Sequence, residues 1–215
     1  MISNTDRSGV FGASDTRYVM AKNRESKSWK QWWDTKIGLM ESKQLGGAYI
    51  RAGNIYEHKI LEAINEKMDM DGQISYGKYL LRVNYDGYME GVIYEVKTHK
   101  AENEFKISRA YWMQAQVEAF VYQEMAEQYF LPPFKKIYIA SYPLYPDEYD
   151  ATFESATVDP NRISYHEIKY DPSWIKGEYL PNIKELARKL KKARRRLIEA
   201  ESVETVKDDR HIQKD

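Results

Sequence analysis

The chain has 215 residues, 33 basic and 33 acidic side chains, 42% hydrophobic and 31% charged residues, and no cysteine. A net charge of +0 excludes a chain with a globally basic field, so any nucleic-acid surface has to be local. The absence of cysteine excludes disulfides, thiolate metal sites and cysteine nucleophiles, and suits a reducing compartment.

Residues 1–15 are polar and glycine-containing, and Thr16 to Met20 reads as a helix with Ser14 or Asp15 as its N-cap. Trp29, Trp32 and Trp33 fall on one face at helical spacing and are expected to be core rather than a base-stacking platform. Ala48 to Met68 is expected to be amphipathic helix, with Ile50, Ile55, Leu61 and Ile64 apolar and Glu57 a turn before Leu61. Gly72 ends that segment. Leu80 to Tyr85 and Val92 to Thr98 then read as two strands of a hairpin, joined by a short polar connection.

Ser108 to Phe130 reads as a long helix stopped by Pro132 and Pro133. Lys136 to Tyr142 is expected to be a further sheet strand, with weaker strand character at Phe153 to Val158 and Ser164 to Tyr170. Asp171-Pro172-Ser173 looks like a helix start, and Ile183 to Ala200 a strong helix with the stripe Ile183, Leu186, Leu190, Ala193 and Leu197. Its other faces carry a run of lysines and arginines, either a solvated face or a surface for phosphates or a partner. No repeat or second core is evident, so residues 1–202 are expected to form one domain ending in a basic helix at about 173–201, with 203–215 a flexible tail. No run approaches the roughly 20 apolar residues of a membrane helix, and the N-terminus lacks an apolar signal region. The expected location is cytoplasmic, the host cytoplasm if the protein is of phage origin, with no membrane association.

Chemistry concentrates in the hairpin. Asp86 is expected at the end of its first strand, and Glu95 and Lys97, two residues apart on the second, leave one face of the sheet. Two carboxylates and an ammonium together suit a hard divalent cation, with the Val96 backbone carbonyl also within reach. Such an ion polarises a phosphoryl group and activates water, and Lys97 can orient or deprotonate that water or stabilise the developing charge. A bland alternative exists, since Glu-x-Lys on a strand is often an exposed charge pair.

Asp86 followed by Glu95-Val96-Lys97 resembles the PD-(D/E)xK nuclease signature, with Tyr85 in place of the proline. More specifically, the chain resembles the lambda-exonuclease and YqaJ-like viral recombinase branch, related to the RecB nuclease domain. Gly9 to Met20, the GNIYE stretch from Gly53 to Glu57, the Asp86, Glu95 and Lys97 set, and YWMQAQ from Tyr111 to Gln116 occur in that branch's order. The resemblance implies an α/β fold with a central mixed sheet flanked by helices, a restriction-endonuclease-like core. It further implies a deoxyribonuclease using Mg²⁺, with Mn²⁺ as a substitute. Asp86, Glu95 and the Val96 carbonyl would hold the metal, Lys97 would be the catalytic lysine, and Glu57 would join them. Gln114 would be the motif glutamine, with Gln116 its rival. Ser14 and Arg7 match positions that hold a 5′ phosphate. His58 and His99 are read as neighbours of these motifs, not as metal ligands.

The function so implied is a 5′-to-3′ exonuclease on linear double-stranded DNA in phage-type recombination. A homotrimer and a single-strand annealing protein are the expected partners. The alternatives are a structure- or site-directed endonuclease of the same superfamily, or a non-catalytic DNA-binding or assembly protein.

Overall fold

The computed structural model describes residues 8–41 and 47–212, with side chains through Glu199. Five strands form one sheet in the order β1-β2-β3-β4-β5: β1 Asp69–Tyr76, β2 Leu81–Met89, β3 Val92–Lys100, β4 Lys136–Leu144 and β5 Ser164–Glu167. Neighbours are antiparallel except β3 and β4, which are parallel. A parallel pair needs a crossover, and the helix α4, Arg109–Met125, supplies it. The remaining helices are α1 Thr16–Val19, α2 Lys27–Ile37, α3 Ala48–Ile64, α5 Pro172–Trp174 and α6 Leu180–Ile212. The expected mixed sheet flanked by helices is what the chain forms.

The alternation of strand side chains loads both faces of the sheet. Along β4, Ile137 and Ile139 enter a core shared with Val117 and Val121 of α4 and Ile183, Leu186 and Leu190 of α6. Ala140, Tyr142 and Leu144 enter a second core with Ala52, Tyr56, Ile60 and Leu61 of α3. A central strand buried on both faces is the usual consequence of a parallel crossover. Trp32 is buried in the first core, stacked on Tyr18 with ring centroids 5.0 Å apart, so the tryptophan face is packing, as expected.

Several boundaries differ from the sequence expectation. The segment after Ile64 does not continue as helix to Met68; Asp69–Tyr76 is instead the edge strand β1. Its aspartates and Gly72 are poor strand formers, and pairing with β2 overrides that preference. Asp86 lies within β2, not at its end. The polar connection contracts to Glu90 and Gly91, both with positive φ (50° and 85°), the backbone of a two-residue hairpin turn. α4 ends at Met125 rather than Phe130, and Phe153 to Val158 contains no strand. α6 continues as helix to Ile212, through residues expected to be a tail. No described helix is long and apolar enough to cross a membrane.

Candidate active site

The β2–β3 ladder pairs Met89 with Val92, Tyr88 with Ile93 and Gly87 with Tyr94. Beyond that point a side chain replaces the backbone bond: the Val96 N–H donates to Asp86 Oδ2 at 2.8 Å. Asp86 is thereby held against β3 by a main-chain donor whose position the strand backbone fixes.

Glu95 and Lys97 share a face of β3, as their spacing requires, and it is the face covered by α4. Lys97 Nζ donates to Glu95 Oε1. The same oxygen accepts from Gln114 Nε2 at 2.6 Å, and Gln114 also donates to Glu118 Oε1 at 2.9 Å. The Lys97 ammonium lies 5.5 Å from the centre of the Tyr111 ring, which borders the site on the same helix. Glu95 is only 4% exposed, and Val96 packs on the opposite side against the α3 core.

The helix phase that was open in the sequence is settled by these bonds. Gln114 faces Glu95, whereas Gln116 turns away, donating to the Lys169 carbonyl and accepting from the Asp171 N–H. Gln116 ties α4 to the turn before α5 and has a structural job.

Glu57 reaches the cluster from α3. A Cβ added at Gly53, one turn earlier, would lie 3.1 Å from Thr98 Oγ1, so the glycine lets the helix sit close to β3. The Tyr49 hydroxyl fixes the same approach by donating to the Thr98 carbonyl at 2.6 Å. The Glu57 carboxyl is pushed up by burial and by the Glu95 charge, partly offset by Lys97.

Glu118, one turn beyond Gln114, completes the group, a residue that the motifs above do not include. It is fully buried, its Oε2 has no hydrogen-bond partner, and burial with the Glu95 charge pushes its carboxyl well above the usual range. The available signal was Gln-x-x-x-Glu, a one-turn spacing that puts both side chains on one helix face. Asp86 is pushed well up for the same reasons, burial first and then Glu95 and Glu57, with the Val96 N–H and Lys97 opposing. Burial pulls the Lys97 ammonium down, but Glu95 and Asp86 outweigh it and hold it above its ordinary value.

Four carboxylates therefore surround one ammonium. The chemistry of this donor set, all oxygen and rich in buried negative charge with an orphaned Glu118 oxygen, fits a hard divalent cation. A second group adjoins it. His58 Nε2 lies 3.1 Å from Asp71 Oδ2, and donor atoms of Glu57, His58 and Asp71 fall within 4.8 Å of one another, a spacing one cation can span. Asp71 falls between the end of the expected helix at Met68 and Gly72, where the sequence suggested no element. His99, the other histidine near the motifs, instead meets the backbone carbonyls of Lys100 and Asn103.

The N-terminal motif reaches the same place through a short bridge. The Phe11 N–H donates to the Leu80 carbonyl at 2.8 Å and the Arg82 N–H to the Phe11 carbonyl at 2.9 Å, laying the segment along β2. Asp15 locks the turn that follows: it accepts from Gly12 N at 2.7 Å, Trp32 Nε1 at 2.7 Å and the buried Lys36 ammonium at 2.6 Å. Ser14 is left exposed at the mouth of a cavity of about 110 Å³, which Arg82, Asn84, Asp86, Gln114 and Glu118 also line. Arg82 and Asn84 alternate with Asp86 along one face of β2. Arg7 lies outside the described residues.

No family model matches the chain, and no curated protein matches it. Solved structures do. An alkaline exonuclease from Laribacter hongkongensis superposes with a TM-score of 0.62 at 17% identity, covering 91% of this chain and 95% of that one. The same enzyme in complex with dAMP gives 0.61 at 17% identity and the same coverage. A phage-related exonuclease from Haemophilus somnus 129PT gives 0.54 at 16%, covering 89% and 96%. The fold is that of these exonucleases.

Proposed function

We propose that the protein is a metal-dependent deoxyribonuclease, a 5′-to-3′ exonuclease acting on linear double-stranded DNA in phage-type recombination. The observation that carries this reading is the convergence of Asp86, Glu95, Lys97, Glu57 and Gln114 from four separate elements on one buried, carboxylate-rich site in an exonuclease-like fold. Asp86, Glu95 and the Val96 carbonyl would hold Mg²⁺, or Mn²⁺ in its place, with Glu118 and Glu57 close enough to share the charge. When bound, the ion supplies Lewis-acid activation of the phosphate and of the attacking water.

The chain's own groups have distinct tasks. Gln114 holds the Glu95 carboxylate in place by a hydrogen bond. Lys97, kept protonated by Glu95 and Asp86, is suited to orient the water and to stabilise negative charge on the phosphorus rather than to abstract a proton. Water adds to phosphorus and the P–O3′ bond breaks; one of the water's protons ends on the 3′ oxygen and the other passes to solvent, and the 5′-mononucleotide leaves with a free 3′ hydroxyl. The small cavity beside Asp86, with Ser14 and Arg82 in its walls, would receive the terminal 5′ phosphate and set where the first cut falls. A homotrimer and a single-strand annealing partner belong to the same reading.

An endonuclease of the same superfamily would share this chemistry. The test is to incubate 5′-phosphorylated linear duplex and covalently closed circular duplex with Mg²⁺ or with EDTA, alongside a Lys97→Ala variant. The reading expects Mg²⁺-dependent release of mononucleotides from linear DNA, no attack on circles, and loss of release in the variant by a factor of about 10³ or more. Cutting of circles would favour the endonuclease, and undiminished activity in Lys97→Ala would refute the site.

A further inference from the structure

The basic run of the C-terminal helix has an ordered arrangement. Lys184 to Arg196 contains eight basic residues and one acidic one in a chain whose net charge is +0. Lys184, Arg188, Lys191 and Arg195 follow one another at spacings of four, three and four, which aligns them on a single stripe of α6. All four are exposed. Ile183, Leu186 and Leu190 anchor the helix in the core, so the stripe is presented by a fixed scaffold.

The stripe adjoins the path that leads to the active site. Its C-terminal half borders a cavity of about 500 Å³ shared with Gly9 and Leu80. Gly9, at φ +75°, lies under the Arg194 guanidinium, where an added Cβ would meet Nε at 3.1 Å. From Gly9 the chain runs along β2 to Gly12 and Ser14, and from Leu80 it runs through Arg82 to Asp86. The six residue steps from Leu80 to Asp86 span about 20 Å, equivalent to about 6 base pairs of duplex at 3.4 Å each.

We propose that this stripe of α6 grips the phosphate backbone of duplex DNA about 6 base pairs away from the scissile bond. The inference rests on the duplex-DNA reading of the active site. Charge complementarity selects the occupant: duplex DNA carries about one negative charge per 1.7 Å of axis, and a row of cations one helical turn apart neutralises several at once. Among the described residues, Lys184, Arg188 and Lys191 make no ion pair, so no acidic side chain competes with phosphate there. Arg195 bonds Glu199 at 2.7 Å, an exposed pair that holds the guanidinium only weakly. Single-stranded DNA is the poorer fit, because its platforms stack bases on aromatic rings. The cavity beside the stripe is walled by Leu80, Ile198 and charged side chains, with no aromatic ring.

The test uses the full-length protein in EDTA, so that binding is measured without cleavage. Affinity for 5′-phosphorylated duplexes of about 6 base pairs (closed at the far end by a hairpin loop) and about 20 base pairs, and for a single strand of the longer sequence, is followed by fluorescence anisotropy across a salt series. One variant combines Lys184→Gln, Arg188→Gln, Lys191→Gln and Arg195→Gln. A control combines Lys189→Gln, Lys192→Gln and Arg196→Gln, which lie about 100° around the helix from the stripe. Circular dichroism melts check that both fold. On the long duplex, the stripe variant is expected to lose on the order of 100-fold in affinity near 100 mM salt. Its slope of log affinity against log salt should fall by about 3, while the control stays within about 1 of the parent. The loss should be much smaller on the short duplex. An unchanged slope in the stripe variant, an equal loss in the control, or a loss confined to single-stranded DNA would overturn the proposal. Failure of the nuclease reading shows separately, as no nucleotide release when Mg²⁺ is supplied, whatever α6 does in EDTA.

Discussion

Glu118 offers the sharpest test of the site's electrostatics. Its carboxyl is fully buried, accepts one hydrogen bond from Gln114, leaves Oε2 unpartnered and sits near Glu95 and Asp86. Without metal its folded-state pKa is well above the ordinary glutamate value of 4.5. The sign follows: between 4.5 and the raised value the folded protein keeps a proton that the unfolded chain has lost. Stability contributed by the neutral carboxyl is therefore full at low pH and declines as pH rises through that window. A single group of this kind changes stability by about 1 kcal/mol per pH unit, or roughly 2–4 °C in melting temperature for a chain of this size. Glu118→Gln removes the titration while keeping the shape. In EDTA the variant should melt with the parent near pH 5 and become progressively more stable than it toward pH 8. Added Mn²⁺ should raise the parent's melting temperature most at pH 8 and the variant's by less, because the ion offsets the charge that the variant lacks. Lys97 does not disturb the comparison: its pKa is raised above 10.5, so its contribution persists across this range and is lost only at higher pH. The measurement is a thermal melt across pH, with and without metal. Parallel pH slopes for parent and variant would refute the reasoning, since Glu118 would then be as ionised in the fold as out of it.

Two further outcomes are expected. Gly53→Ala places a methyl 3.1 Å from Thr98 Oγ1 and pushes α3 from β3, costing about 1 kcal/mol net after the gain in helix propensity; because Glu57 rides on that helix, nuclease activity should fall further than stability, and Thr98→Ala should restore much of both, as a double-mutant melt and rate assay would show. Asp15→Ala strips the buried Lys36 ammonium of its partner at 2.6 Å and should destabilise by about 3–5 kcal/mol in a denaturant titration, with Lys36→Met in the same chain recovering a large part.

Local pattern carried much of the fold. β3 and β4 were visible as β-branched and aromatic runs, α4 and α6 as helical periodicity, and the short spacing of Glu95 and Lys97 placed them on one face whatever the fold around them. β1 was not visible, because Asp69, Asp71 and Gly72 have no intrinsic reason to be strand; they are extended only because β2 offers them a ladder. Asp71 and its contact with His58 were lost with it. Gln114 and Gln116 were indistinguishable in sequence, being two residues apart on a helix whose phase depends on which face the sheet covers.

The sequence by itself therefore named five residues of the proposed centre: two carboxylates and a lysine in a strand pair, and, through the family resemblance, a glutamate on the preceding helix and a glutamine on the following one. The tertiary structure alone decided its wiring. Packing of α4 over β3 chose Gln114 and brought in Glu118, and the bridge from Phe11 to Leu81 set Ser14 beside Arg82 and Asp86. The physical reason is range. Periodicity reports which face of an element a side chain leaves, whereas the bond between Gln114 and Glu95, or the electrostatic influence of Glu95 on Glu57, depends on how elements remote in sequence share one buried space.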